Sequence, residues 1–147
     1  MTETLLQKQY RFSVGLQRLL QYAHKQRYDV TMGETYRHPV QAAINALTVK
    51  ERESLASLIQ HIHGGVSVAL RQQNNGLKGN RPLGIQHTLH TRRLAVDLQL
   101  FKDGEWIKEV GPYRELGMYW ESLGPDFCWG GRFGDTPHYS IKHDGMK

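Results

Sequence analysis

Two histidines and a carboxylate are among the common ligand sets of catalytic zinc, and this chain of 147 residues holds one set at suggestive positions. His90 stands seven residues before Asp97, in "HTLHTRRLAVDL" (87–98), and His138 lies far downstream, three residues after Asp135 in "GDTPHYS". The stretch 92–101 reads as a strand. On it Asp97 shares a face with Ala95 and Gln99, while Leu94, Val96, Leu98 and Leu100 point the other way. Asp97 therefore leaves the sheet opposite the apolar row, toward solvent or toward the floor of a cleft. In a cleft, His90, Asp97 and His138 would hold a metal ion with one position left for water, and a second carboxylate would take that water's proton. Spacing alone leaves the bland reading open, because His-x6-Asp is common by chance.

Several elements must position these residues. Phe12, Leu16, Leu19, Leu20 and Ala23 recur at helical spacing, so an amphipathic helix is expected over about 9–27. "YDVTMGETYR" (28–37) reads as extended, and a short helix is expected over 41–47. Thr48 and Glu51 form a capping box opening a helix with Leu55, Leu58, Ile59 and Ile62 on one face. Gly64 and Gly65 interrupt it, and "RQQNNGLKGNRP" (71–82) reads as a loop. After the strand at 92–101, Asp103-Gly104 marks a hairpin turn. Tyr113, Leu116, Trp120 and Leu123 mark another helix, 124–137 a loop, and 138–141 a last strand. Helices followed by a mostly antiparallel sheet give an α+β class, in one domain spanning 1–147.

Composition narrows the rest. One cysteine, Cys128, excludes an internal disulfide and a cysteine-based zinc cluster. Cys128 also lacks a basic catalytic partner in sequence and reads as a partly buried thiol. The charge of +5 and pI of about 9.4 favour an anionic partner. The basic residues are scattered, without a helix-turn-helix or a basic stripe, so nucleic acid is not the expected partner. No apolar run reaches the roughly 20 residues that span a bilayer. The N-terminus lacks a secretory signal, so synthesis in the cytoplasm is expected. His61 and His63 fall at a helix end and read as exposed. His24, His38 and His143 have no matching partner, and His87 reads as a loop residue.

"GETYRHPVQ" (33–41), "TLHTRRLAVDL" and "WGGRFGDTPHYS" together resemble the VanY and D-Ala-D-Ala carboxypeptidase family of zinc peptidases, especially the phage L-alanyl-D-glutamate endopeptidases that act as endolysins. The fragments fall in the family's order and span about residues 10–143. The resemblance implies a Hedgehog/D-Ala-D-Ala peptidase-like fold, a small antiparallel sheet flanked by helices. It also implies zinc on His90, Asp97 and His138, Asp135 as general base and acid, and Arg37 on a substrate carboxylate or the oxyanion. Thr88 and Gln41 match substrate-side positions. Trp129 reads equally as core or as a cleft wall. Arg37, without the resemblance, reads as a surface arginine.

The chain departs from the family's pattern in four places, one of them the base, Asp135 rather than Glu, a shorter reach that the endopeptidase branch shares. Thr88 replaces Ser. Arg93 stands where Gly is common, so its backbone is expected to avoid conformations that only Gly tolerates. The long stretch between Gln41 and His90 is expected to hold an added helix. What the resemblance implies is a monomeric hydrolase of the peptidoglycan stem peptide, made in a host cytoplasm and acting on the wall after release by a separate protein. The alternatives are a D,D- or L,D-carboxypeptidase of the same fold, or a non-catalytic basic protein binding wall or nucleic acid.

Overall fold

The computed structural model describes residues 3–75, 79, 80, 82 and 88–147. They divide into two compact units: Met1–Arg37 with Leu89–Lys147, and His38–Thr88. No helix among the described residues is long and apolar enough to cross a membrane.

The first unit opens with α1 (Leu5–Lys25), four residues earlier than apolar periodicity indicates. The reason is a capping box: the Thr4 hydroxyl accepts from the Gln7 backbone N–H, and the Gln7 side chain accepts from that of Thr4. Phe12, Gly15, Leu19 and Ala23 form its buried face. β1 (Asp29–Met32) pairs antiparallel with β2 (Ala95–Lys102), Thr31 opposite Gln99. β2 then turns through Asp103 and Gly104 into β3 (Glu105–Trp106). Both turn residues have positive φ, 52° and 82°, as a two-residue turn matched to strand twist requires. α5 (Val110–Ser122) buries Tyr113, Leu116 and Trp120. β4 (Phe127–Trp129) and β5 (His138–Ile141) complete a five-stranded antiparallel sheet ordered β1-β2-β5-β4, with β3 beside β2. The class is α+β, with five α-helices and a small antiparallel sheet among the described residues.

β2 is the spine of this unit. Val96, Leu98 and Leu100 are wholly buried against Leu19, Leu116 and Trp120. At roughly 1.5–3 kcal/mol per buried side chain, that row fixes the strand's register, because a one-residue slip would bring Asp97 and Gln99 inward. β4 lies in what the sequence presents as a loop; its three residues, all buried, are too few to display alternation.

The second unit contains α2 (Pro39–Ala46), α3 (Val49–Ile59) and α4 (Gly64–Gln72). The Thr48–Glu51 capping box forms as expected. The expected apolar face of α3 forms only in part: Leu55 and Ile59 are half-buried, but Leu58 and Ile62 are 77% and 73% exposed, and Arg52 and Ala56 are buried. Arg52 is satisfied by the Asn74 side chain at 2.7 Å and by the Leu47 carbonyl. Gly64 and Gly65 begin α4 rather than merely ending α3, and α4 runs into the segment expected to be loop.

Candidate metal centre

Antiparallel pairing places Asp97 of β2 directly opposite His138 of β5. Opposed residues project from the same face with β-carbons about 4.5–5.5 Å apart, so their side chains converge. Asp97 Oδ1 lies 3.2 Å from His138 Nδ1. His90 arrives from the 3-10 turn Leu89–Arg92 just ahead of β2. Its Nε2 is 3.2 Å from His138 Nδ1 and 3.4 Å from Asp97 Oδ1. His90 and His138 are buried and Asp97 half-buried. The three donor atoms converge on one point, and this group can hold a metal ion. Burial pushes the Asp97 carboxyl up, but hydrogen bonds from His138 and then His90 outweigh it and hold the carboxyl well below the usual carboxylate range.

The turn carrying His90 is closed by Arg93 N–H to the His90 carbonyl (3.2 Å) and Leu94 N–H to the Leu89 carbonyl (3.0 Å). Arg93 has φ +56°, a left-handed value that residues with side chains adopt uncommonly but that is not reserved to glycine. Its guanidinium lies 4.9 Å from the Tyr36 ring centroid.

The segment 33–37 ties the two ligand-bearing stretches together. Gly33 N–H donates to the Asp97 carbonyl (2.7 Å), Asp97 N–H to the Glu34 carbonyl (2.9 Å), and Arg37 N–H to the His90 carbonyl (3.3 Å). Arg37 donates through Nε (2.7 Å) and Nη2 to the two oxygens of Glu34. Glu34 Oε2 also lies 3.9 Å from His90 Nε2. The sequence singles out Arg37 but not Glu34; the i,i+3 spacing of the two in an extended stretch carries no helical signal that would have paired them.

Asp135 presents a half-exposed carboxylate whose Oδ2 is 4.0 Å from His138 Nδ1. The turn that brings it there needs a bare backbone at Gly130, where a β-carbon would strike the Asp135 carbonyl oxygen and come within 2.7 Å of the His138 β-carbon. Trp129 is a core residue, 4% exposed, its ring packed on Gly117 and Gly131 and its indole N–H bonded to the Thr136 carbonyl at 2.8 Å. Of the two readings open for Trp129, core or cleft wall, its burial favours core.

Gln41 and Thr88 belong to the second unit. Gln41 is exposed and donates to Asn45, and Thr88 is buried. His87 lies outside the described residues. His61 and His63 are exposed, His38 caps α2 by accepting from Val40 N–H, and His143 pairs with Asp144 at 3.2 Å. Cys128 is buried, and burial pushes its thiol up, away from nucleophilic use.

No known family model matches the chain, and a search of curated proteins finds no match. The resemblance to the zinc peptidases therefore rests on the short ordered motifs.

Proposed function

We propose that the protein is a zinc metallopeptidase hydrolysing the stem peptide of bacterial peptidoglycan, with the phage L-alanyl-D-glutamate endopeptidases as its nearest functional type. The observation that carries this reading is the His90–Asp97–His138 triangle with Asp135 beside it. Zinc binds imidazole nitrogen and carboxylate oxygen at about 2.0–2.2 Å in tetrahedral geometry, which separates any two donor atoms by roughly 3.3–3.6 Å. The three separations here are 3.2, 3.2 and 3.4 Å. Two imidazole nitrogens and one carboxylate also match the donor chemistry of catalytic zinc sites.

Bound at these residues, zinc supplies Lewis acidity, acidifying water and polarising the scissile carbonyl. Asp135 accepts the water's proton. Its half-exposed carboxylate lies about 4 Å from a ligating nitrogen, a distance that leaves room for a water in hydrogen-bond reach. The same carboxyl then returns the proton to the leaving amine. Arg37 offers the edge of its guanidinium not engaged by Glu34 to the developing oxyanion, and Glu34 holds that cation in place. The biological role we assign to this chemistry is that of a phage or prophage endolysin, with which the overall basic charge is consistent.

The test is loss of turbidity of outer-membrane-permeabilised Gram-negative cells, with mass spectrometry of the released muropeptides. Activity is expected to disappear with a chelator and return with zinc, and products are expected to be freed stem peptides. Loss of a terminal D-Ala alone would instead identify a carboxypeptidase. Absence of stoichiometric zinc in protein prepared with zinc would overturn the reading altogether.

A further inference from the structure

We infer that a groove beside the metal centre is a subsite for a carboxylate-bearing segment of the substrate, on the leaving-group side of the bond cleaved; this rests on the peptidase reading above. The groove, of about 360 Å³, lies off the β2 edge between the β3 hairpin and the residues leading into β5. Both of its near walls begin at residues of the centre. Gln99 is the next residue after Asp97 on the same face of β2, about 6.6–6.8 Å along the strand. Thr136 and Pro137 are the two residues between Asp135 and His138. An extended substrate rises about 3.3 Å per residue, so one bound at the metal would enter the groove one to two residues from its scissile bond.

The groove's chemistry selects an anionic, acceptor-rich occupant. The Gln99 carboxamide oxygen accepts from the Trp106 indole N–H (3.1 Å) and faces the Tyr113 hydroxyl (3.4 Å). An indole N–H can only donate, so this bond fixes which end of the amide points inward. The NH2 end makes no hydrogen bond among the described residues and is left to donate into the groove. Trp106 is 52% exposed and offers an apolar platform, with the Lys108 ammonium 5.4 Å from its ring centroid. Among the described residues, Lys108 is the one charged residue lining the groove, and no carboxylate lines it. Donors and a cation around an apolar platform suit a free carboxylate on a short aliphatic stem. The alanine on the acyl side of an L-alanyl-D-glutamyl bond carries no free carboxylate, whereas the residues on the leaving side do.

The experiment uses the zinc-loaded protein and two peptides: L-Ala-γ-D-Glu-L-Lys with both carboxylates free, and the same peptide with both converted to carboxamides. Binding is followed by the Trp106 indole resonance, identified by its disappearance in Trp106→Phe, and turnover by product formation. The free peptide is expected to shift the Trp106 resonance and to bind about fivefold tighter than the diamide. Lys108→Met should raise KM for the free peptide by about that factor, leave kcat unchanged and leave the diamide unaffected. Equal handling of the two peptides by the wild type, or an equal loss on both in Lys108→Met, overturns the subsite. Carboxylate-selective binding at Trp106 without hydrolysis would keep the subsite and sink the peptidase reading; hydrolysis without selectivity would do the reverse.

Discussion

Two regions of this molecule carry closely spaced histidines, and only one of them assembles a site. His61 and His63 stand where α3 ends and α4 begins, two residues apart in sequence and both exposed. His90 and His138 stand 48 residues apart, yet their ring nitrogens come within 3.2 Å. The difference is the element beneath them. A helix end leaves its side chains directed into water with no facing partner, whereas antiparallel register forces Asp97 and His138 onto one face, and the tight turn before β2 swings His90 over the same point. Proximity in sequence therefore says little about a metal site; strand register says much.

The largest effect that tests this contrast is on metal affinity. Changes outside the ligand set of a metal site already cost ten- to hundredfold, so His138→Ala is expected to weaken zinc binding by more than about 100-fold. His61→Ala/His63→Ala is expected to leave it unchanged. Titration against a chromophoric chelator reads both. An unchanged affinity in His138→Ala would remove the triangle as the metal site.

Next in size is turnover. Asp135→Asn keeps the shape of the side chain but cannot accept a proton, so peptide hydrolysis is expected to fall by about 10²–10⁴ with zinc still bound. A variant that retains full activity would show that another group takes the proton. The half-exposed position of Asp135 makes a purely structural collapse an unsuitable explanation for such a loss, and the retained zinc content checks that point directly.

The site was more legible in the sequence than the elements around it. Asp97 stands out because an acid interrupts an apolar run, and alternation places it opposite Val96 and Leu98 without any tertiary information. Asp103-Gly104 and the Thr48–Glu51 box are local rules, satisfied within four residues, and both form. What escaped depends on partners distant in the chain. Glu34 matters through Arg37 and through a backbone carbonyl bonded to Asp97, and neither leaves a pattern. Half of the apolar face that periodicity gives α3 is exposed, at Leu58 and Ile62, while Arg52 is buried with hydrogen bonds to Leu47 and Asn74, which periodicity cannot anticipate. β4 is too short to alternate, and the α4 start was hidden by glycines that ordinarily signal a break.

Glycine substitutions extend the comparison between the two regions to stability. Gly130→Ala drives a β-carbon into the Asp135–His138 turn, so a loss of about 1–3 kcal/mol is expected, with weaker zinc binding. Gly65→Ala, in the first turn of α4, meets nothing within 4 Å and is expected to gain up to about 0.5–1 kcal/mol. Urea denaturation of the two variants measures both signs. If Gly130→Ala proved neutral, the turn that presents Asp135 would not be as closely packed on Gly130 as its geometry implies.

The smallest effect concerns Arg93, the residue at which a glycine was expected. Its φ of +56° costs a side-chain-bearing residue roughly 1–2 kcal/mol, which glycine avoids. Its guanidinium over Tyr36 returns about 0.5–1 kcal/mol. Arg93→Ala keeps the strain and loses the ring contact, so it is expected to lower stability by about 0.5–1 kcal/mol. Arg93→Gly loses the same contact but sheds the strain, less the extra freedom a glycine has when unfolded, and is expected to be about 1 kcal/mol more stable than Arg93→Ala. Because the Arg93 N–H closes the turn on the His90 carbonyl, both variants should keep zinc affinity within a few-fold of wild type. An Arg93→Gly variant less stable than Arg93→Ala by about 0.4–1 kcal/mol, the glycine's unfolded freedom alone, would show that the left-handed backbone carries no strain here, and that the turn is set by the backbone bonds of His90 and Leu89 rather than held against the preference of Arg93.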